Sequence, residues 1–311
     1  MPSMIPPLVY IAGYGRSGST LLEQMLARAL GALALGEASR YFRVARDPEA
    51  RCSCGETLSA CPVWRSVSLA LGPDGTAVGA AELDALERLR RSVEASRLRG
   101  GAAARDVTGP AERRYAHVMR TVFSTAAAAA ATPGGAPFRF LVDSSKTAFG
   151  TVRRPQALAG PAGLDVRVLH LVRDSRGVVA SMRRGLNRRM ERGLPATTHL
   201  PALRAAAGWV AANRAAERCG KELEPDRYRR IRYEDLVEAP DAVLEGLGDF
   251  LGAPATTAGA QGAVHQVAGN RARLGDFRRV EPDLAWHDDM AAWEKSLLDR
   301  VLGRWMRRYG Y

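Results

Sequence analysis

Residues 8–30 constrain the fold more than any other stretch. Leu8-Val9-Tyr10-Ile11-Ala12 is a continuous apolar run of strand length. Gly13, Gly15 and Gly18 punctuate the loop after it, and Thr20 to Leu30 then places Leu21, Leu22, Met25, Leu26 and Leu30 at helical spacing. A strand apolar on both faces belongs inside a parallel sheet, covered by helices on either side. The pattern recurs. Phe138 to Val142 runs into Asp143-Ser144-Ser145-Lys146, Val166 to Val172 into Arg173-Asp174, and Tyr228 to Arg232 into Tyr233-Glu234-Asp235. Helical patterns separate these runs, among them residues 80–99 and 111–131. This alternation predicts an α/β fold, and ligands of such sheets bind outside the carboxyl ends of the strands, where the polar clusters fall. No repeat or linker interrupts the chain, so one domain over residues 1–311 is expected, with helical insertions.

Gly13-Tyr14-Gly15-Arg16-Ser17-Gly18-Ser19-Thr20 is the most informative of the polar clusters. Glycines let the backbone curl its N–H groups toward an anion, and the helix that follows adds free donors and partial positive charge. Arg16, Ser17, Ser19 and Thr20 add side-chain donors. The P-loop pattern G-x-x-x-x-G-K-[ST] fits except at its Lys, which is replaced here by Ser19. That Lys grips the β- and γ-phosphates, so its replacement argues against ATP or GTP chemistry while leaving a P-loop-like, three-layer fold as the expectation.

Composition sets outer bounds. The 311 residues are 46% hydrophobic, enough for a sizeable core, and the formal net charge is +12. Lys146, Lys221 and Lys295 are the only lysines among 45 Lys+Arg. An Arg-rich solvated surface accounts for most of the excess, and the remainder suits an anionic ligand. No apolar run reaches signal-peptide or membrane-spanning length, which predicts a soluble, cytoplasmic protein without a membrane span. Four cysteines do not make a secreted disulfide framework.

Two motifs together resemble the sulfotransferases that use 3′-phosphoadenosine 5′-phosphosulfate (PAPS). Gly13 to Leu22 is similar to the Arg-containing form of their 5′-phosphosulfate loop. Arg173, at a strand end, followed by Ser181 on the next helix, has the spacing of the pair that holds the 3′-phosphate in that family. A guanidinium offers a planar fork for a phosphate. Ile231 to Val237, which contains Tyr233, resembles the family's later strand and helix. His265 to Leu274, with Gly269, Asn270, Arg271 and Arg273, resembles its nucleotide-covering loop. The resemblance implies PAPS as co-substrate and 3′,5′-adenosine bisphosphate as product. It implies a nucleotide site of Gly15, Arg16, Ser17, Gly18, Ser19, Thr20, Arg173, Ser181, Tyr233, Asn270, Arg271 and Arg273, and no metal.

Sulfuryl transfer needs a group to take the acceptor's proton and a cation for the leaving oxygen. Glu37, in Gly36-Glu37-Ala38-Ser39-Arg40, resembles the G-E-x-x-R element that supplies the base in tyrosylprotein-type sulfotransferases. The alternative is a Glu placed by the helix dipole. Lys146, kept as Lys in a chain that writes nearly every cation as Arg, suits the leaving oxygen, with Arg16 beside it. The alternative is a surface Lys paired with Asp143. Thr198-His199-Leu200-Pro201 is similar to the T-H-L-P of cytosolic sulfotransferases but stands after the 3′-phosphate motif, where theirs stands before it, so the match is read as chance. His170 reads as a core residue, and His117, His265 and His287 have no partner pattern. Cys52, Cys54 and Cys61 lack a fourth ligand nearby, so a small structural knot or reduced thiols are expected in place of zinc. Cys52 to Gly55 and Cys61 to Trp64 resemble a segment of one bacterial branch of the family.

The sequence therefore predicts sulfuryl transfer to a hydroxyl of a small molecule, natural product, lipid or sugar, with residues 41–130 and 183–208 shaping the acceptor pocket. A P-loop kinase or NTPase is the enzyme rival and requires the missing Lys and Mg²⁺. An Arg-rich nucleic-acid-binding protein is the other, and it calls for exposed aromatics on a basic face. Aromatics are 6% of the chain, so no nucleic-acid partner is expected.

Overall fold

The computed structural model describes residues 5–96, 109–132, 136–148, 150–190, 201–253, 262–274 and 283–311. The strands are β1 (Leu8–Gly13), β2 (Ala32–Ala34), β3 (Phe140–Asp143), β4 (Val166–Val172), β5 (Tyr228–Arg232) and β6 (Ala263–Val264). The helices are α1 (Ser19–Leu30), α2 (Tyr41–Val44), α3 (Pro62–Leu71), α4 (Ala80–Ser96), α5 (Pro110–Ala130), α6 (Arg154–Ala159), α7 (Ser175–Met190), α8 (Pro201–Glu222), α9 (Tyr233–Glu238), α10 (Pro240–Leu251), α11 (Trp286–Asp289) and α12 (Ala292–Tyr309).

The strands form one sheet in the order β5-β4-β1-β3-β2-β6, and every pairing is parallel. The expected α/β fold with a central parallel sheet is observed. β1 is central. The chain leaves it toward the β2 edge and later crosses to β4 and β5 on the other side, so the loops diverge at the carboxyl end of β1 and open a crevice there. The four expected strands are present. β2 and β6 were not anticipated.

Alternation along β1 divides the core. Leu8, Tyr10 and Ala12 pack with α3, α5 and α6 residues such as Val67, Phe123 and Leu158 on one face. Val9 and Ile11 pack with Leu22, Leu26, Leu247 and Leu251 of α1 and α10 on the other. Each large aliphatic side chain so buried contributes about 1.5–3 kcal/mol. A third cluster joins α7, α8 and α12 around Trp209. Local signals set the helix ends: Pro62, Pro110 and Pro240 open α3, α5 and α10, and left-handed Gly31, Gly252 and Gly310 close α1, α10 and α12. Among the described residues, no helix is long and apolar enough to cross a membrane.

Candidate active site

The crevice at the carboxyl end of β1 is a cleft of about 820 Å³. Residues from loops that follow four strands line it, together with helix α4 and residues 269–270: Arg16, Thr20, Glu37, Lys146, Arg173 and Asn270 are all at its wall.

The loop from β1 to α1 forms the floor. Gly13 has φ +115°, and a Cβ there would lie 2.3 Å from the Leu171 carbonyl oxygen of β4. Gly18, φ +91°, caps α1 and lies so close to Tyr233 that a Cβ would stand 2.5 Å from its ring. Only glycine fits either place. Gly15, Arg16, Gly18, Ser19 and Thr20 line the cleft. Ser17 is buried, and its hydroxyl has no partner among the described residues, a donor held ready in a loop shaped for an anion.

The two hallmark segments meet. Arg16 Nε donates to Ser181 Oγ at 3.0 Å, and Arg173 Nη1 donates to the Arg16 carbonyl oxygen at 3.1 Å. Arg173 also lies over the Tyr233 ring, 4.4 Å from its centroid. An acidic side chain already sits in this cationic corner. Asp283 pairs with Arg173 at 3.1 Å and with Arg184 at 2.6 Å, and its N–H donates to Tyr233 Oη. A carboxylate thus occupies a place that an anionic ligand of Arg173 would take.

At the other end, Lys146 Nζ is 2.6 Å from Glu37 Oε1, and Arg40 Nε is 2.5 Å from Glu37 Oε2. The expectation that Lys146 pairs with Asp143 if it is structural does not hold: Asp143 pairs with Arg154 at 3.0 Å. Burial pushes the Glu37 pKa up, but the charges of Lys146 and Arg40 and the Lys146 hydrogen bond outweigh it and hold the carboxyl below its usual range. Arg16 and Lys146, the two cations singled out from sequence, both have left-handed backbones, φ 68° and 67°. Such non-glycine strain, about 1–3 kcal/mol each, persists only where surrounding contacts impose it.

Those contacts are buried and polar. Asp143 Oδ1 accepts from Ser145 N at 2.9 Å, and Ser145 Oγ accepts from Ser39 N at 2.9 Å, which ties the end of β3 to the Glu37 turn. Arg154 bridges Asp143 to Glu94 of α4 at 2.6 Å, and Glu94 also pairs with Arg90, which lines the cleft. Tyr10 donates to the Lys146 carbonyl oxygen. Glu23, on α1, accepts from Gly36 N at 2.6 Å and Gln266 Nε2 at 2.7 Å, and so clamps the turn before Glu37. Burial raises its pKa to about 7. The sequence reading missed Glu23 and Gln266. The signal for Glu23 was a carboxylate beside Leu22 on the buried face of a helix.

The C-terminal segment divides. Gly269 and Asn270 line the cleft, and a Cβ on Gly269 would be 3.7 Å from Glu37 Oε1 and 3.8 Å from Thr20 Oγ1. Arg273 does not join them. Its guanidinium turns to the Arg51 carbonyl oxygen at 2.9 Å, because the short turn Arg271–Leu274 carries it over the cysteine loop. The Arg271 side chain and His199 lie outside the described residues. His170 is a core residue as expected, bonded to Tyr228 and Asn213, with burial lowering its pKa to about 4. The expected absence of a fourth ligand for the cysteines is also corrected: His265 lies beside Cys52, Cys54 and Cys61. Residues 41–130 do contribute to the cleft, through Arg43, Glu87, Arg90 and Arg91, and residues 183–208 through Arg184.

A glycine loop before a helix, at the crevice of a parallel sheet, with cations converging on one cleft, defines a P-loop-like α/β protein with an anion-binding site. The sequence profile of the Sulfotransferase family matches residues 7–257, and the chain belongs to that family. Among solved structures it is similar to the sulfotransferase domain of the curacin biosynthetic pathway, at 21% identity and TM-score 0.45, covering 97% of this chain and 99% of that one. It is also similar to the sulfotransferase domain of the Synechococcus PCC 7002 olefin synthase, at 21% identity and TM-score 0.48, covering 97% of each chain. Sulfotransferase STF9 from Mycobacterium avium matches at 12% identity and TM-score 0.48, covering 100% of this chain and 78% of that one. No curated protein matches.

Proposed function

We propose that this sulfotransferase takes its sulfuryl group from PAPS and delivers it to an alcohol or phenol hydroxyl, releasing 3′,5′-adenosine bisphosphate. The observation that carries the reading is the convergence in one cleft of the phosphate loop, the Arg173–Ser181 pair and the Glu37–Lys146 pair. Residues 15–20 would hold the 5′-phosphosulfate, with Ser17 gaining the partner its hydroxyl lacks. Arg173 and Ser181 would hold the 3′-phosphate, and Tyr233 and Asn270 would border the nucleotide.

Glu37 would take the acceptor's proton as the acceptor oxygen bonds to sulfur. The bond from sulfur to the 5′-phosphate oxygen breaks, and the electron pair stays on that oxygen, where Lys146 and Arg16 offset its charge. The pairing of Lys146 with Glu37 gives this a timing. When the ammonium turns to the leaving oxygen, Glu37 keeps Arg40 but loses the larger of the charges that depress its pKa and becomes a stronger base as the proton must move. Arg40, Arg43 and Arg91 at the wall suit a polar or anionic acceptor better than an apolar one.

Thermal stabilisation tests the donor. 3′,5′-Adenosine bisphosphate should raise the melting temperature well above the effect of ADP, ATP-Mg²⁺ or oligonucleotides at equal concentration. Equal stabilisation by ADP, or robust Mg²⁺-dependent ATP hydrolysis, overturns the proposal.

A further inference from the structure

Outside the cleft, the tightest gathering of reactive side chains is Cys52, Cys54, Cys61 and His265. One ligand atom from each lies within 4.8 Å of every other. His265 Nδ1 is 3.4 Å from Cys61 Sγ and 3.8 Å from Cys52 Sγ. Zinc with bonds of about 2.3 Å to sulfur and about 2.0–2.1 Å to nitrogen, at tetrahedral angles, sets S···N edges of about 3.6 Å. The observed distances bracket that edge. We propose that these four residues bind one Zn²⁺ as a closed Cys₃His site. This proposal is independent of the donor assignment.

The surroundings are those of a built site. Cys52 and Cys61 are fully buried, and all three thiols are free. The Cys52 to Gly55 turn closes on itself: Cys52 N donates to the Glu56 carbonyl oxygen at 2.9 Å, and Gly55, φ +96°, bonds back to the Cys52 carbonyl at 3.1 Å. His265 is fixed on both sides, its N–H on the Ala34 carbonyl at 2.8 Å and its carbonyl on Trp64 Nε1 at 2.7 Å. Three thiolates and one imidazole select zinc over hard cations, and clusters of iron and sulfur favour four cysteines. Four protein ligands leave no position for water, so the metal's role is structural.

The site is a clasp at the edge of the cleft. It ties the cysteine loop to the strap 263–270, which pairs with β2, bonds Glu37 N through the Ala268 carbonyl at 3.2 Å, and supplies Gly269 and Asn270 to the wall. Metal loss should therefore loosen the backbone around Glu37.

Elemental analysis of the full chain, purified without chelator from zinc-supplemented medium, should find one zinc per molecule. Exchange with Co²⁺ should produce thiolate-to-cobalt charge-transfer absorption and the intense visible bands of a tetrahedral site. His265→Cys should keep the metal and His265→Ala should lose it. Cys54→Ser, at an exposed position that folding tolerates, should release zinc to a chelator at least tenfold faster. Cys219→Ser, in α8 away from the cluster, should change nothing. Wild-type protein with no bound zinc and no cobalt–thiolate band overturns the proposal, as does a mass two hydrogens short with peptide mapping that places the disulfide among Cys52, Cys54 and Cys61. Unchanged zinc retention in both His265→Ala and Cys54→Ser also overturns it.

Discussion

The corner of the cleft around Arg173 draws its principal groups from two short segments, residues 13–20 and 173–181, each a strand end running into a helix. The corner around Glu37 draws on chain from end to end: Glu23 of α1, the turn at Gly36, Ser145 and Lys146 after β3, Glu94 and Arg90 of α4, and the strap 263–270. The first corner has a geometry that local sequence encodes, glycines where φ is positive and an Arg at a strand terminus. The second holds a carboxylate and an ammonium in contact through a buried polar network. On the proposed roles, charge recognition tolerates a simple scaffold, whereas proton transfer, with its need for placement within about 3 Å, rests on many partners.

The contrast predicts that damage at the Glu37 corner appears in turnover and damage at the Arg173 corner in affinity. Glu37→Gln keeps shape but cannot take a proton, so turnover should fall about 10²–10⁴-fold. Affinity for 3′,5′-adenosine bisphosphate, read by calorimetry, should stay near wild type, and an acidic phenol acceptor, already ionised, should restore part of the rate. If Glu37→Gln turns over normally, the base lies elsewhere.

Glu23 gives the next effect. Its folded pKa of about 7 lies above the unfolded carboxylate value, so its contribution is fully present below about pH 4.5 and is lost as pH rises through 7. At 1.36 kcal/mol per unit, the change is on the order of 3 kcal/mol. Denaturant titrations of Glu23→Gln should show a flatter stability profile between those values than wild type. Superimposable profiles show that the Glu23 carboxyl is not perturbed by burial.

Arg173→Ala should weaken 3′-phosphorylated nucleotides by about 1.5–3 kcal/mol, and Ser181→Ala by less, while nucleotides without that phosphate are unaffected. Equal losses for both ligand types break the distinction between the corners. The smallest effect belongs to Asp283→Asn. Removing the carboxylate that competes for Arg173 and Arg184 should tighten 3′,5′-adenosine bisphosphate binding by less than tenfold and leave ADP unchanged. Weaker binding shows that Asp283 supports the site.

Legibility in the sequence follows the same division. β1, β3 and β4 could be read because each is an apolar run with a polar end, β5 because Tyr228 and Ile231 flank a short stretch that runs into the polar Tyr233-Glu234-Asp235, and the phosphate loop because its glycines and hydroxyls are contiguous. β2 could not: Ala32-Leu33-Ala34 has no strand preference of its own and is extended only because β3 and β6 pair with it. Glu37 and Lys146 were read as separate candidates, and their contact across 109 positions was invisible. The cysteines showed a fragment of a pattern whose fourth member stands 204 positions after Cys61. Arg273 was placed with the nucleotide because spacing gives no sign that the chain turns away after Asn270.

The long reach of the strap also orders events during synthesis. Gln266 closes on Glu23 across 243 positions, and until it arrives the outer edge of β2 has no neighbour. Between the emergence of β3 and that of the strap the nascent protein therefore carries an open sheet edge, the kind of surface that invites mispairing with other chains. Contacts so distant in sequence form late, after the loops between them have been closed. The phosphate loop can fold as soon as β1, β3 and β4 have emerged, but Glu37 gains its final support only when the strap docks. On the proposed assignment, maturation of the protein should then pass through a stage that binds the donor before it can turn over.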